Sequence, residues 1–217
     1  MASRPKQPVP RPAPRLYLVT PPLSDPAPFA GPLEAALGAA DVAAVLLRLG
    51  DADERTLLNC IKSVAVTAQQ AGAALVLAGH TELTARGGAD GAHMSGADEF
   101  LAAVDSLKPD RIAGVGGLAS RHDAMSVADG GADYVMFGEP VGGSRPSFAA
   151  VEERVGWWAP LFEVPCVAFA ASLEEITPLV AAGADFIAID WLWRDLPGIP
   201  AALSQVAAQL RLPEASR

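Results

Sequence analysis

Residues 88–98 read GADGAHMSGAD, and the triplet that opens this stretch decides the fold. Gly-Ala-Asp returns at 131–133 and 183–185, and AGAA at 71–74 stands in the same place. Each copy follows a longer amphipathic segment and precedes a short apolar run. The physical reason is local. Glycine takes the left-handed conformation that ends a helix, alanine fits the crowded turn onto a sheet, and aspartate starts a buried strand from its polar end. A repeated helix–Gly–Ala–Asp–strand unit is a βα repeat.

Working outward, the short runs are RLYLVT (15–20), AAVLLRL (43–49), ALVLAG (74–79), GAHM (91–94), RIAGVG (111–116), YVMFG (134–138), CVAFA (166–170) and FIAID (186–190). Segments such as DERTLLNCIKSVAVTAQQAG and SLEEITPLVAAG lie between them and read as helices. The crossover at 81–88 has room for barely two turns. About eight strands alternating with helices over this length predict a single α/β domain, a (β/α)8 TIM barrel spanning 15–212. A doubly wound open sheet is the alternative, but it commonly carries a glycine-rich loop after its first strand. Here TPPLSDPAP follows instead. Residues 1–14, MASRPKQPVPRPAP, are predicted to form a disordered tail, because proline removes backbone donors and favours extended geometry.

The chain is 51% hydrophobic and 19% charged with a net charge of −9, so it can bury a large core and offers no dense basic cluster within the domain for nucleic acid. No apolar run approaches the ~20 residues of a membrane span, and no signal-peptide core is expected. Cys60 and Cys166 lack metal-type spacing and read as reduced core thiols of a cytoplasmic protein.

In such a barrel, function is expected at the C-terminal ends of the strands. There the colinear series LYLVT, VLLRLGD, GADGAHMSGAD, IAGVGG, GADYVMFG, VPCVAF and AGADFIAI resembles the thiamine-phosphate synthase family, including its thiazole tautomerase branch, from about Arg15 to about Trp193. The resemblance implies joining of a pyrimidine pyrophosphate to a thiazole phosphate, with Mg2+ on carboxylates, phosphate grips at strand ends, and a homodimer. It also shows departures. The family's Gln-x-Arg-x-Lys becomes Leu46, Arg48 and Gly50; its Asn-Asp becomes Ala78 and Gly79. Its second metal carboxylate matches Asp98, while the Gln before it is Gly96. A Ser-Thr pair becomes Gly116 and Gly117, and the tautomerase histidine becomes Leu118. EPVGGSRPS replaces a Thr-rich loop with a lysine, leaving Arg145 as the cation. The phosphate-gripping Gly-Gly becomes Ala170-Ala171, and Val-Ser becomes Asp190-Trp191.

Each surviving residue has two readings. His93 is a ligand contact, or a strand-end histidine satisfied by backbone groups. Asp98 is a metal ligand, or the cap of the helix that starts there. Arg48 meets a ligand anion, or pairs with Asp51 or Asp190, since an unpaired charge there would be costly. Gly114, Gly116 and Gly117 turn N–H groups to a phosphate, or keep the mouth open. Asp190 repels a phosphate and, beside Trp191 and Trp193, suits a cationic or aromatic ligand. His80, Arg121 and His122 read as surface residues, and the pair Trp157-Trp158 as core or a subunit contact. The sum is a barrel of thiamine biosynthesis with weak or no synthase turnover that binds a phosphorylated or thiazole ligand. A working synthase with Mg2+ on Asp98, and a non-catalytic barrel that acts through protein partners, are the alternatives.

Overall fold

A computed structural model describes residues 12–211. The tail expectation for residues 1–11 and the domain end at 212 lie outside the described residues, and Pro14 is already buried one residue before the first strand. Eight strands, β1 (Arg15–Val19), β2 (Val42–Leu47), β3 (Ala74–Ala78), β4 (Gly91–Ser95), β5 (Ile112–Gly116), β6 (Tyr134–Phe137), β7 (Cys166–Phe169) and β8 (Phe186–Ile189), alternate with eight helices. The strands are parallel and close in sequence order, β8 pairing with β1 through Tyr17↔Ala188 and Leu18↔Ile189. The (β/α)8 barrel expected from the repeat is the observed fold. No helix among the described residues is long and apolar enough to cross a membrane.

The strands read as unbroken apolar runs because both faces are covered; every residue of β6 and β7 is buried. One core lies between sheet and helices, where Phe100 of α4 (Ala97–Leu107) and Trp158 of α6 (Phe148–Trp158) are fully buried. Trp158 donates its indole N–H to the Val164 carbonyl and stacks on Phe162, so it serves the core. Its neighbour Trp157 is half-buried beneath the Arg121 guanidinium. Cys60 and Cys166 belong to this same core. A second, smaller core fills the barrel interior with Tyr17, Val19, Leu46, Val76, Met136 and Phe169.

The Gly-Ala-Asp repeat does more than start strands. Gly88, Gly131 and Gly183 adopt the left-handed conformation, with φ of 76°, 91° and 101°. The aspartates bind the neighbouring strand rather than capping their own. Asp90, Asp133 and Asp185 accept the N–H of Leu75, Ala113 and Cys166 at 2.7, 2.7 and 2.8 Å, and each returns its own N–H to the same residue's carbonyl. Leu75 and Ala113 are the second residues of β3 and β5, and Cys166 is the first of β7. Three carboxylate latches thus pin alternate seams at the N-terminal end of the barrel. A hollow of about 720 Å³ lies at this end around Asp90, Lys108, Arg111 and Asp133. It sits on the face where a barrel of this class keeps stability rather than chemistry.

Candidate functional site

At the opposite end, a pocket of about 330 Å³ is lined by Leu46, Arg48, Ala78, Gly79, His93, Ser95, Glu99, Glu139 and Pro140. A second, of about 320 Å³, shares Glu139 and is lined further by Gly117, Leu118, Ser144, Arg145 and Arg154. The two flank the mouth of the barrel.

His93 sits on β4, pointing into the barrel, and is 4% exposed. Its ring is satisfied by side chains, not by the backbone groups expected from its place at a strand end. Nδ1 lies 2.9 Å from the Tyr134 hydroxyl and Nε2 lies 3.0 Å from Glu139 Oε2. The Tyr134 hydroxyl in turn lies 2.7 Å from that of Tyr17. Burial holds both phenols well above their usual pKa, so both stay protonated. One arrangement gives every donor an acceptor: Tyr17 O–H to Tyr134, Tyr134 O–H to His93 Nδ1, and Nε2–H to the Glu139 carboxylate. The reverse assignment leaves the Tyr17 O–H with no acceptor among the described residues. The chain therefore ends on Glu139, whose Oε1 is buried without a hydrogen-bond partner there.

Gly114 and Gly116 make room for this chain. A methyl on Gly114 would overlap the Tyr134 ring, and one on Gly116 would overlap Glu139 Oε1 and crowd His93 Nε2 at 2.9 Å. The missing side chains matter here, and the Gly116 carbonyl accepts the Gly96 N–H at 2.8 Å. Gly117, at φ 62°, makes the turn beyond β5.

Of the three arginines that line these pockets, Arg154 donates to the Leu118 and Ala119 carbonyls, and Arg48 follows β2 and pairs with Asp190 beyond β8 at 3.5 Å, both partly exposed. Asp190, rather than Asp51, is therefore its carboxylate partner. Arg145 is engaged more completely. Its guanidinium donates to both Glu175 oxygens at 3.0 and 2.7 Å and to the carbonyls of Gly138 and Phe169. Glu175 Oε2 also accepts the Ala171 N–H at 2.8 Å. At Ala170, the N–H is spent on the Ala188 carbonyl and the carbonyl accepts the Trp191 indole N–H. Trp193 donates to the Val19 carbonyl at 2.6 Å and packs on Phe29. Both tryptophans by Asp190 thus brace the rim of the barrel.

The reading of Asp98 as a helix cap is corrected. Gly96 occupies the cap of α4, Asp98 is exposed at its second residue, and Glu99 accepts the Ser95 N–H at 3.0 Å instead. Gly96, at φ 93°, takes a backbone conformation that favours glycine over aspartate. The Mg2+ that the resemblance implies finds no fitting donor set. The end of β3 offers Ala78 and Gly79, with no carboxylate, and among the described residues no three His, Cys, Asp or Glu side chains stand together as metal ligands. His80, Arg121 and His122 are exposed, as expected.

Sequence reasoning missed Tyr17, Tyr134, Glu139 and Glu175. A signal was present: Glu139 is the one carboxylate in the loop EPVGGSRPS directly after β6, and the alternation Gly-Val-Gly on β5 leaves a hollow that a neighbour must fill.

A family model described as thiamine monophosphate synthase matches residues 16–190. The thiamine-phosphate synthase of Rhodospirillum centenum (strain ATCC 51521 / SW) is 41% identical, covering 91% of this chain and 98% of that protein. The protein of the same name from Hyphomonas neptunium (strain ATCC 15444) is 38% identical over 89% and 92%. Among solved structures, a thiamine phosphate pyrophosphorylase from Pyrococcus furiosus superposes with a TM-score of 0.74 at 18% identity, covering 90% of this chain and 95% of that one. A GGGPS from Thermoplasma volcanium reaches 0.68 at 13%, covering 93% and 94%. At these identities the two structures speak for the fold alone.

Proposed function

Because the chain belongs to the thiamine monophosphate synthase family, we propose that it serves thiamine biosynthesis as a barrel that binds a heteroaromatic, thiazole-type ligand at its mouth and turns the synthase substrates over weakly or not at all. One observation carries this reading. The Glu175 carboxylate takes up the Arg145 guanidinium and the Ala171 N–H, the donors that the family pattern would aim at a phosphate. An internal carboxylate occupies the place of the substrate's anion. Binding a phosphate there would require breaking a charge-assisted pair that is four-fifths buried. Arg48, the other mouth cation at the strand ends, is partly neutralised by Asp190. A site with those cations engaged cannot concentrate the positive potential that a leaving pyrophosphate needs.

In this reading Arg48 lines the ring pocket, His93 and Glu139 form its polar floor, and Leu46 and Pro140 give it apolar walls. The protein forms a homodimer in the cytoplasm, a point that a molar-mass measurement in solution checks. The reading is tested by thermal unfolding with an unphosphorylated thiazole, and separately with pyrophosphate plus Mg2+. Stabilisation by the first and none by the second is expected. Strong Mg2+-dependent stabilisation by pyrophosphate would contradict it. That result would favour the second reading, a working synthase, which draws support from the names of relatives that match along nearly their whole length.

A further inference from the structure

We propose that Glu139 is a ligand-contacting residue that makes the mouth pocket select a cationic or N–H-donating ring and reject anionic ones, with His93, Tyr134 and Tyr17 as the residues that position it. This rests on the reading that the mouth binds a ring, and it adds the chemistry of the ring's edge.

Three observations converge on Glu139. Its side chain is 12% exposed, and Oε2 is committed to the His93 ring, while Oε1 is buried with no partner among the described residues. A buried carboxylate oxygen without a donor is costly. Donation to it is therefore strongly favoured. Glu139 also lines both mouth pockets, so a ring in either meets its side chain, and Oε1, which has no exposed surface, is reached when the carboxylate turns toward the pocket. Finally, Gly116 leaves the volume in which Oε1 lies, and any larger residue there would overlap it. The hydrogen-bonded contacts from Tyr17 through Tyr134 and His93 lead to this carboxylate. Its donors are all used, so the carboxylate keeps its second acceptor for something outside the chain. A phosphate or carboxylate brought to that oxygen would meet like charge; an amidinium, a protonated ring nitrogen or a ring N–H would meet an acceptor that lacks a donor.

Three probes of similar size and different charge, benzamidine, benzamide and benzoate, test this on the full-length protein by NMR titration near pH 7. Benzamidine is expected to bind best, benzamide less well and benzoate not measurably, with shift changes centred on Gly116, Gly138 and His93. Glu139→Gln, nearly isosteric, is expected to weaken benzamidine by about tenfold or more, the scale of a lost charge-assisted hydrogen bond. Gly116→Ala, which displaces Oε1 without changing charge, should do the same. Unfolding midpoints of both variants show that the fold persists. Benzamidine binding that is unchanged in Glu139→Gln, equal or tighter binding of benzoate, or no benzamidine binding at all would each overturn the proposal. An unphosphorylated thiazole, titrated in parallel, separates it from the reading beneath it. Binding of the thiazole without benzamidine removes only the role of Glu139, whereas binding of neither removes both.

Discussion

The two ends of this barrel use carboxylates for different partners. Where the strands begin, Asp90, Asp133 and Asp185 accept backbone N–H groups in one repeated geometry. Where the strands end, Glu139, Glu175 and Asp190 take up side chains from other elements: a histidine on β4 and two loop arginines. The first set is periodic because the same Gly-Ala-Asp turn recurs at three alternate seams and meets an N–H near the start of the neighbouring strand each time. The second set is irregular because each loop differs. The contrast shows why Glu175 matters. At the base, a carboxylate answers a donor the fold itself exposes. At the mouth, it answers an arginine and an N–H from two different loops.

Four substitutions sharpen this comparison. Gly114→Ala should have the largest effect, because its methyl overlaps the Tyr134 ring inside the closed barrel. A loss of about 3 kcal/mol is expected from overpacking. For a domain of this size that lowers the thermal midpoint by roughly 6–12 °C. Glu175→Gln should follow, at about 2 kcal/mol, since Arg145 loses a bidentate partner at a mostly buried position. The same variant should gain binding of inorganic pyrophosphate in calorimetry. A Glu175→Gln protein that still ignores pyrophosphate would break the contrast between the two ends.

Asp133→Asn removes the charged acceptor of the Ala113 N–H and the partner of Lys108, and should cost about 1–2 kcal/mol with no change in ligand binding at the mouth. Altered mouth binding in this variant would show that the ends are not independent. The smallest effect is expected for Asp41→Asn, which removes an exposed pair with Arg15 and should cost less than about 1 kcal/mol. Arg15 beside it holds the Asp41 carboxyl below its usual pKa. Its contribution is therefore present above the usual carboxylate range and lost as pH falls through the lowered value. The stability difference between wild type and Asp41→Asn should accordingly vanish in acid, as pH-dependent urea unfolding would show.

Much of the fold was legible in the sequence, and for a physical reason. Gly88, Gly131 and Gly183 end helices, the alanines beside them pack tightly, and the runs that follow are apolar on both faces, so one local rule writes the same letters repeatedly. Strand positions could therefore be placed to within two residues. At the mouth, Arg48 and Asp190 could be read as partners because both follow inward-facing strand ends. Arg145 was read for its charge alone. Its partner Glu175 lies beyond the next strand, in a 3-10 turn (Leu173–Glu175) that carries no repeat. Glycines 114 and 116 read in the sequence either as N–H donors to a phosphate or as residues that keep the mouth open. What they supply is volume for Tyr134 and Glu139, and such steric complementarity between β5 and its neighbour leaves no mark at either position alone. The cap of α4 was misplaced from Gly96 to Asp98 for a similar reason: aspartate is a common cap, but the backbone there turns left-handed.

The central claim is that this barrel keeps the family scaffold while its own carboxylates occupy the anion-binding donors. Steady-state turnover tests it most directly: the pyrimidine pyrophosphate and thiazole phosphate substrates are supplied with Mg2+, and released pyrophosphate is followed over time. The account predicts release close to that of the no-protein control. Sustained, protein-dependent turnover at a rate typical of an enzyme, above about 1 per second, would contradict it.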